Sequence, residues 1–231
     1  MNVAIVVAAG KGSRAGGGRA KQFRELKGIP IIIHTLGRFE RCAEVGEVVA
    51  VVPEGSEAET EALAAAHRLC KLARVVRGGA TRTESVWRGL GAVNPRAEVV
   101  AVHDGVRPFV TPEEIGRCVR EAAASGAAIL AAPVVDTIKE SDADSRTVAR
   151  TLERRRLWRA LTPQCFRVPL LRRALEVAME EGSDATDCSS LVERLGAPVR
   201  VVEGSPDNIK ITTPQDFALA EMLLRGDSCT G

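Results

Sequence analysis

Between Val7 and Phe23 the chain reads VAAGKGSRAGGGRAKQF, with five glycines, four basic residues and no acid. Glycine lets backbone N–H groups approach phosphate oxygens closely, and fixed cations stabilise the charge that builds up as a pyrophosphate leaves. The stretch therefore reads as an anion-binding loop, with Gly10 and Gly12 in its cradle and Arg14 and Lys21 as its charges. A Walker A loop needs Ser or Thr after its Gly-Lys, but Gly10-Lys11 is followed by Gly12. Residues 10–15 do fit the GxGxxA form of a dinucleotide fingerprint. That motif expects an acid about twenty residues on, at the end of the second strand, yet residues 31–37 read IIIHTLG and the second strand candidate begins only at residue 47. A nucleoside triphosphate clamp remains, against the plainer alternative of a solvated surface loop.

A second chemical position is Asp104, which closes the apolar run Val99–His103. A carboxylate at the carboxyl end of a strand suits a metal ion or a substrate hydroxyl; the alternative is an Asp that caps the next turn. His103, a lone histidine ending that run, reads as a hydrogen-bonded structural residue. No Ser-His-Asp arrangement accompanies these groups.

These groups need a scaffold. Nearly continuous apolar runs mark strands at Val3–Ala8, Glu47–Val52, Ala73–Val76, Glu98–His103, Ala127–Val135 and Val199–Glu203, a pattern that suits parallel strands covered on both faces. Helical segments alternate with them. Thr111-Pro112-Glu113-Glu114 is a capping box with Pro at the first helical position, Gly126 ends that helix, and Thr213-Pro214-Gln215-Asp216 opens the last one, whose apolar face is Phe217, Ala220, Leu223 and Leu224. The expectation is an α/β fold with a Rossmann-like, doubly wound, mostly parallel sheet and ligands at the strands' carboxyl ends. Residues 136–160 break the rhythm: Thr137-Ile138-Lys139 and Thr147–Leu152 flank the turn-rich Ser141–Ser145, a projecting β-hairpin arm too polar to bury itself and suited to packing on a second subunit. Residues 1–225 read as one domain, and 226–231 as a disordered tail.

Bulk properties narrow the classes. The 231 residues carry a net charge of +2, too little for a general nucleic-acid binder, and 3% aromatics, too few for base-stacking platforms. Six cysteines without CxxC spacing read as small buried hydrophobes in a reducing cytoplasm. No signal-peptide pattern or membrane-spanning apolar stretch is present.

Several further stretches occur in one order along residues 3–225: Ala8-Ala9-Gly10-Lys11-Gly12-Ser13-Arg14, Lys21-Gln22, Gly78-Gly79 with Arg82 and Ser85-Val86, and His103-Asp104-Gly105-Val106-Arg107-Pro108. Then come Ala132-Pro133-Val134 with Asp136-Thr137, Leu157-Trp158 with Ala160–Gln164, Thr186-Asp187 and Asp207-Asn208-Ile209-Lys210. Together they resemble the 2-C-methyl-D-erythritol 4-phosphate cytidylyltransferase family, with its nucleotide-diphospho-sugar transferase type of fold. The resemblance implies that CTP and a polyol phosphate give a CDP-alcohol and pyrophosphate in isoprenoid precursor biosynthesis, with Mg²⁺ or another divalent cation. By resemblance Arg14 and Lys21 stabilise the transition state; Ala8, Ala9, Gly10, Gly12 and Asp104 bind CTP; and Gly79, Ala80 and Ser85 read the cytosine. Asp104, Arg107, Thr186 and Lys210 hold the acceptor, with Asp104 the candidate metal ligand and Lys210 also catalytic. Thr137 and Arg154, the latter also catalytic, reach from the arm into the partner's site of a homodimer.

The plainer alternatives are a surface Lys at 210, a structural ion pair at Arg107, helix caps at Ser85 and Thr186, and a solvated basic face at Arg155 and Arg156. Three departures from the family pattern stand out: Ala20 for a Pro, Gly105-Val106 for Ala-Ala, and Cys188 for an acid after Thr-Asp. Rival functions are a ribitol 5-phosphate cytidylyltransferase, a nucleotidyltransferase for a sugar 1-phosphate, and a non-catalytic nucleotide-binding module.

Overall fold

The structure is a computed structural model and describes residues 1–10, 20–142, 144 and 146–226. Its centre is a sheet of β1 (Asn2–Val7), β2 (Glu47–Val52), β3 (Leu72–Arg77), β4 (Val99–Asp104), β5 (Ala127–Pro133), β6 (Trp158–Arg167) and β7 (Arg200–Glu203). Across the sheet the order is β7-β5-β6-β4-β1-β2-β3. Every ladder is parallel except the two made by β6.

Alternation along the strands builds two cores. Ala4 and Val6 of β1 join Ala50 of β2 and Ala101 of β4 on one face, where they meet Ile32, Leu36 and Phe39 of α1 (Ile31–Glu40) and Ile115 and Val119 of α4 (Pro112–Ser125). Ile5, Val51, Val100 and Val102 point the other way, onto Val86 and Leu90 of α3 (Arg82–Gly91), α5 (Val168–Glu180) and α6 (Cys188–Arg194). Both faces of the central strands are apolar because both are covered. A smaller cluster joins Phe217 and Ala220 of α7 (Pro214–Gly226) to Leu26, Ile31 and Val106. The α4 capping box forms as its sequence predicts, with Thr111 Oγ1 accepting from Glu114 N–H and Glu114 Oε2 accepting from Thr111 N–H.

The main departure from expectation is β6. It inserts antiparallel between β4 and β5, with a register break between Ala160 and Gln164 that spans the cis Thr162–Pro163 peptide. A proline in mid-strand argues against a central strand, and the break in the ladder accommodates it. Trp158–Ala160, assigned from sequence to the arm, pair instead with β5 in the main sheet. Within 136–160 a separate two-stranded ladder joins Lys139–Ser141 to Val148–Thr151, and both strands are exposed throughout. Of the expected tail, Gly226 is the last residue of α7, and 227–231 lie outside the described residues. No helix among the described residues is long and apolar enough to cross a membrane.

Candidate active site

Parallel strands bring the ends of β1 and β4 side by side, with Val7 opposite Asp104. The chain leaving β4 passes so close to β1 that a Cβ at Gly105 would stand 2.7 Å from the Ala8 Cβ, and Gly105 N–H donates to Val7 O. Asp104 thereby sits buried at the sheet's carboxyl edge.

Three cations surround its carboxylate. Lys210 Nζ lies 2.9 Å and Arg107 Nε 3.3 Å from Oδ2, and Arg82 Nε lies 3.8 Å from Oδ1. Burial alone would raise this carboxyl, but Lys210, then Arg82 and Arg107, hold it well below the usual carboxylate range. Three cations against one carboxylate leave a formal surplus of +2 at this point.

A hydrogen-bonded frame fixes these groups. Thr162 Oγ1 accepts from Asp104 N–H and donates to His103 Nδ1, while His103 Nε2–H donates to the Arg107 carbonyl. Burial lowers His103 to about 4, so its ring is neutral. This bears out the structural reading of His103. Asn208 continues the frame, giving Nδ2–H to Thr162 O and taking Arg107 Nη1–H on its own carbonyl.

Two cavities meet at Asp104. The larger, of about 570 Å³, runs along the end of β1 and the start of α3, where Ala8, Ala9, Gly10, Lys21, Gly79, Ala80 and Ser85 line it. The smaller, of about 220 Å³, lies towards β6 and the start of α6, with Arg107, Thr162, Gln164 and Thr186 in its wall. Arg82, Asp104 and Lys210 belong to both walls.

The structure thus gathers most of the residues selected from sequence. Gly12 and Arg14 lie outside the described residues, although Gly10 and Lys21, on either side of that segment, both face the larger cavity. Ala20 has φ −55°, a value proline also adopts. Ser85 is no helix cap: Thr81 caps α3, and Ser85 Oγ accepts from Gly79 N–H and donates to Thr81 O. Thr186 is no cap either, since Asp187 caps α6. Arg107 does make the structural ion pair given as its alternative, and it also faces the smaller cavity. Thr137 and Arg154 reach neither cavity of their own chain; both are exposed, and Arg154 donates to Val135 O at the base of the hairpin.

Two features were missed from sequence. Arg82 stood in a quoted motif without a role, yet it lies between Asp104 and Cys188, donating from Nη1 to Cys188 Sγ at 3.2 Å. Burial pushes the Cys188 thiol up, which leaves it uncharged. Asp104 is therefore the anion that Arg82 meets. Gln164 was the other: its Oε1 takes Cys188 N–H and Ser189 N–H, and its Nε2 donates to Asp187 Oδ2. It ties α6 to β6 beneath the smaller cavity.

The family model for 2-C-methyl-D-erythritol 4-phosphate cytidylyltransferase (IspD) matches residues 2–226. The chain belongs to this family. The cytidylyltransferase of Symbiobacterium thermophilum is 45% identical over 224 residues, which cover 97% of this chain and 93% of that one. Among solved structures, 4-diphosphocytidyl-2C-methyl-D-erythritol synthase from Anaerococcus prevotii superposes with a TM-score of 0.86 at 30% identity, covering 97% of this chain and 96% of that one. The cytidylyltransferase of Thermus thermophilus gives 0.78 at 35%, covering 97% and 100%. Membership makes the chain a nucleotidyltransferase, and the α/β sheet is that of the cytidylyltransferases.

Proposed function

We propose that the chain carries out its family's reaction, cytidylyl transfer from CTP to 2-C-methyl-D-erythritol 4-phosphate in isoprenoid precursor formation, and that it does so at the Asp104 junction. The observation that carries this is the pair of cavities meeting at Arg82, Asp104 and Lys210. CTP occupies the larger and the polyol phosphate the smaller. An acceptor phosphate oxygen attacks the α-phosphorus, the new P–O bond forms, and the bond to the β-phosphate oxygen breaks to release pyrophosphate. A phosphate monoester loses its second proton near pH 6, so the nucleophile arrives already ionised and needs no general base. Catalysis is then positioning and charge neutralisation. Lys21 and Arg14 neutralise the triphosphate, and Lys210, Arg82 and Arg107 gather the acceptor phosphate. Asp104, always ionised, keeps those three cations in place beforehand.

Mg²⁺ belongs to this reading. No group of three His, Cys, Asp or Glu side chains gathers among the described residues, but Mg²⁺ is commonly held by one or two carboxylates together with substrate phosphates. The single carboxylate at the junction, Asp104, already meets Lys210, Arg107 and Arg82, so the ion would be held chiefly by the substrate phosphates, with Asp104 the one protein carboxylate near them. When bound, the ion supplies charge neutralisation at the phosphates. The hairpin belongs to the reading as well: Val135, Val148 and Trp158 expose apolar surface on or beside it, which supports a homodimer in which Thr137 and Arg154 complete the partner's acceptor side. The unpaired cysteines among the described residues agree with a cytoplasmic location.

The test is pyrophosphate release from CTP and Mg²⁺ with 2-C-methyl-D-erythritol 4-phosphate, ribitol 5-phosphate or no acceptor. Fast release with the first alone is expected. Preference for ribitol 5-phosphate would overturn the acceptor and keep the chemistry.

A further inference from the structure

Gly79 and Ala80 of the turn Gly78-Gly79-Ala80 form part of the wall of the nucleotide cavity, and the turn's polar groups are held in an unusual way. Gly78 N–H donates to Val52 O, and Gly79 N–H to Ser85 Oγ. Ala80 N–H donates to Glu84 Oε2 at 2.7 Å. In a capping box the acid at the third helical position turns back to the N–H of the cap residue. Here Thr81 caps α3 and Glu84 stands at that third position, yet its carboxylate reaches one residue further out, to Ala80. Arg88, one helical turn on, pairs with Glu84 and also gives Nη1–H to Gly78 O at 2.8 Å. The Ala80 N–H, and to a lesser degree Arg88, hold the Glu84 carboxyl below the ordinary glutamate range.

Glu84 packs so closely over the turn that a Cβ at Gly79 would stand 2.3 Å from its carboxyl carbon. The two side chains thus grip both ends of a three-residue turn at its glycine. What the turn then offers a ligand is one-sided. Its three N–H groups are spent inside the protein, while the Gly79 and Ala80 carbonyls have no partner among the described residues. At position 4 cytosine carries an amino donor where uracil carries a carbonyl acceptor, and carbonyls facing that position, with no free N–H beside them, favour the former.

We propose that the Glu84–Arg88 pair sets the enzyme's choice of an aminopyrimidine nucleotide over its oxo counterpart, by occupying the Ala80 N–H that would otherwise serve the carbonyl at position 4 of the oxo base. This rests on the base lying at the Gly78–Ala80 turn. Glu84 and Arg88 are positioning residues: they act through the turn.

The test compares kcat/KM for CTP and UTP in the wild type and in Glu84→Ala, Glu84→Gln, Arg88→Met and Ser85→Ala. Glu84→Ala frees the Ala80 N–H and is expected to reduce the CTP-to-UTP ratio at least about tenfold, the scale of one mispaired polar group in a binding site. Glu84→Gln keeps an oxygen for that N–H and should retain the preference within about threefold. Arg88→Met, which loosens Glu84 without removing it, should fall between them. A purely structural role would lower kcat/KM equally for both nucleotides and leave the ratio fixed, and that result would overturn the proposal. If Ser85→Ala also leaves the KM for CTP unchanged, the placement of the base at this turn falls with it. If Ser85→Ala raises that KM while Glu84→Ala leaves the ratio unmoved, the placement stands and the selectivity device alone is refuted.

Discussion

The Asp104 junction and the hairpin both carry residues selected from sequence as acceptor contacts, and they are built in opposite ways. At the junction the charges, Lys210 apart, are buried or half-buried, and the groups are answered: Asp104 by three cations, Arg107 by the Asn208 carbonyl, Asp104 N–H by Thr162. The hairpin strands are exposed over their whole length, and Arg154 is fastened to its own root at Val135. The chain's own fold completes the first region and leaves the second with a face for something else. The buried residues of the junction should therefore report on stability and catalysis together, and the exposed Lys210 and the residues of the hairpin on catalysis alone.

The largest effect should come from Asp104→Asn. It leaves Arg82 and Arg107 gathered without their anion, and removing one partner of a buried charge cluster costs roughly 3–5 kcal/mol. Urea unfolding should show that loss, and an unchanged midpoint would mean that the cluster is not held by its carboxylate. Lys210→Ala should lower kcat by about 10²–10³-fold, as removal of one preorganised charge-stabilising group does, while unfolding changes little because the Lys210 side chain is 42% exposed. Loss of KM alone would move Lys210 from catalysis to simple binding.

His103 gives a subtler test of the junction. Its folded value, about 4, lies below the ordinary 6.5. The unfolded chain therefore binds more protons between these two values, and stability present above pH 6.5 is lost as pH falls towards 4, by roughly 3 kcal/mol in all. His103→Gln, measured without nucleotide or metal, should remove that slope. The hairpin should show the smallest stability effect: Arg154→Ala is expected to stay within about 0.5 kcal/mol of wild type while losing activity. Mixed with Lys21→Ala chains it should regain activity, because in the proposed dimer each mixed pair would hold one intact site. Full activity of Arg154→Ala alone would make Arg154 a solvated basic residue like Arg155 and Arg156, and mixtures that stay silent would overturn the sharing of sites.

What could be read in the sequence follows the same division. Strands with unbroken apolar runs, such as Glu47–Val52, and helices with explicit caps, such as the one opening at Thr111, are local signals, and they formed close to where they were expected. β6 was not legible, because Pro163 and the polar Thr162 and Gln164 disguise a strand whose polar side chains are spent on the site rather than on solvent. Arg82 could be quoted but not given a task, since nothing in its spacing from Asp104 shows that the start of α3 and the end of β4 meet across β1. The Glu84–Arg88 pair went unread: the two have i,i+4 helical spacing, but that their target is the turn ahead of the helix, and not the helix itself, is a tertiary fact.

The insertion of β6 between β4 and β5 has a consequence for how the protein is made. β4 and β5 are complete once residue 133 has been added, but they are not neighbours, and the strand that joins them ends only at Arg167. Until β6 is available the outer edge of β4 is unpaired, and β5 lacks both of its neighbours because β7 comes later still; such edges pair readily with another chain. The hairpin lies between β5 and β6 in the chain, so the polar Lys139–Thr151 segment leaves the ribosome before β6 can close the sheet behind it. Pauses in translation within this window should be the costliest for yield, and a chain released there should aggregate sooner than one released after Arg167.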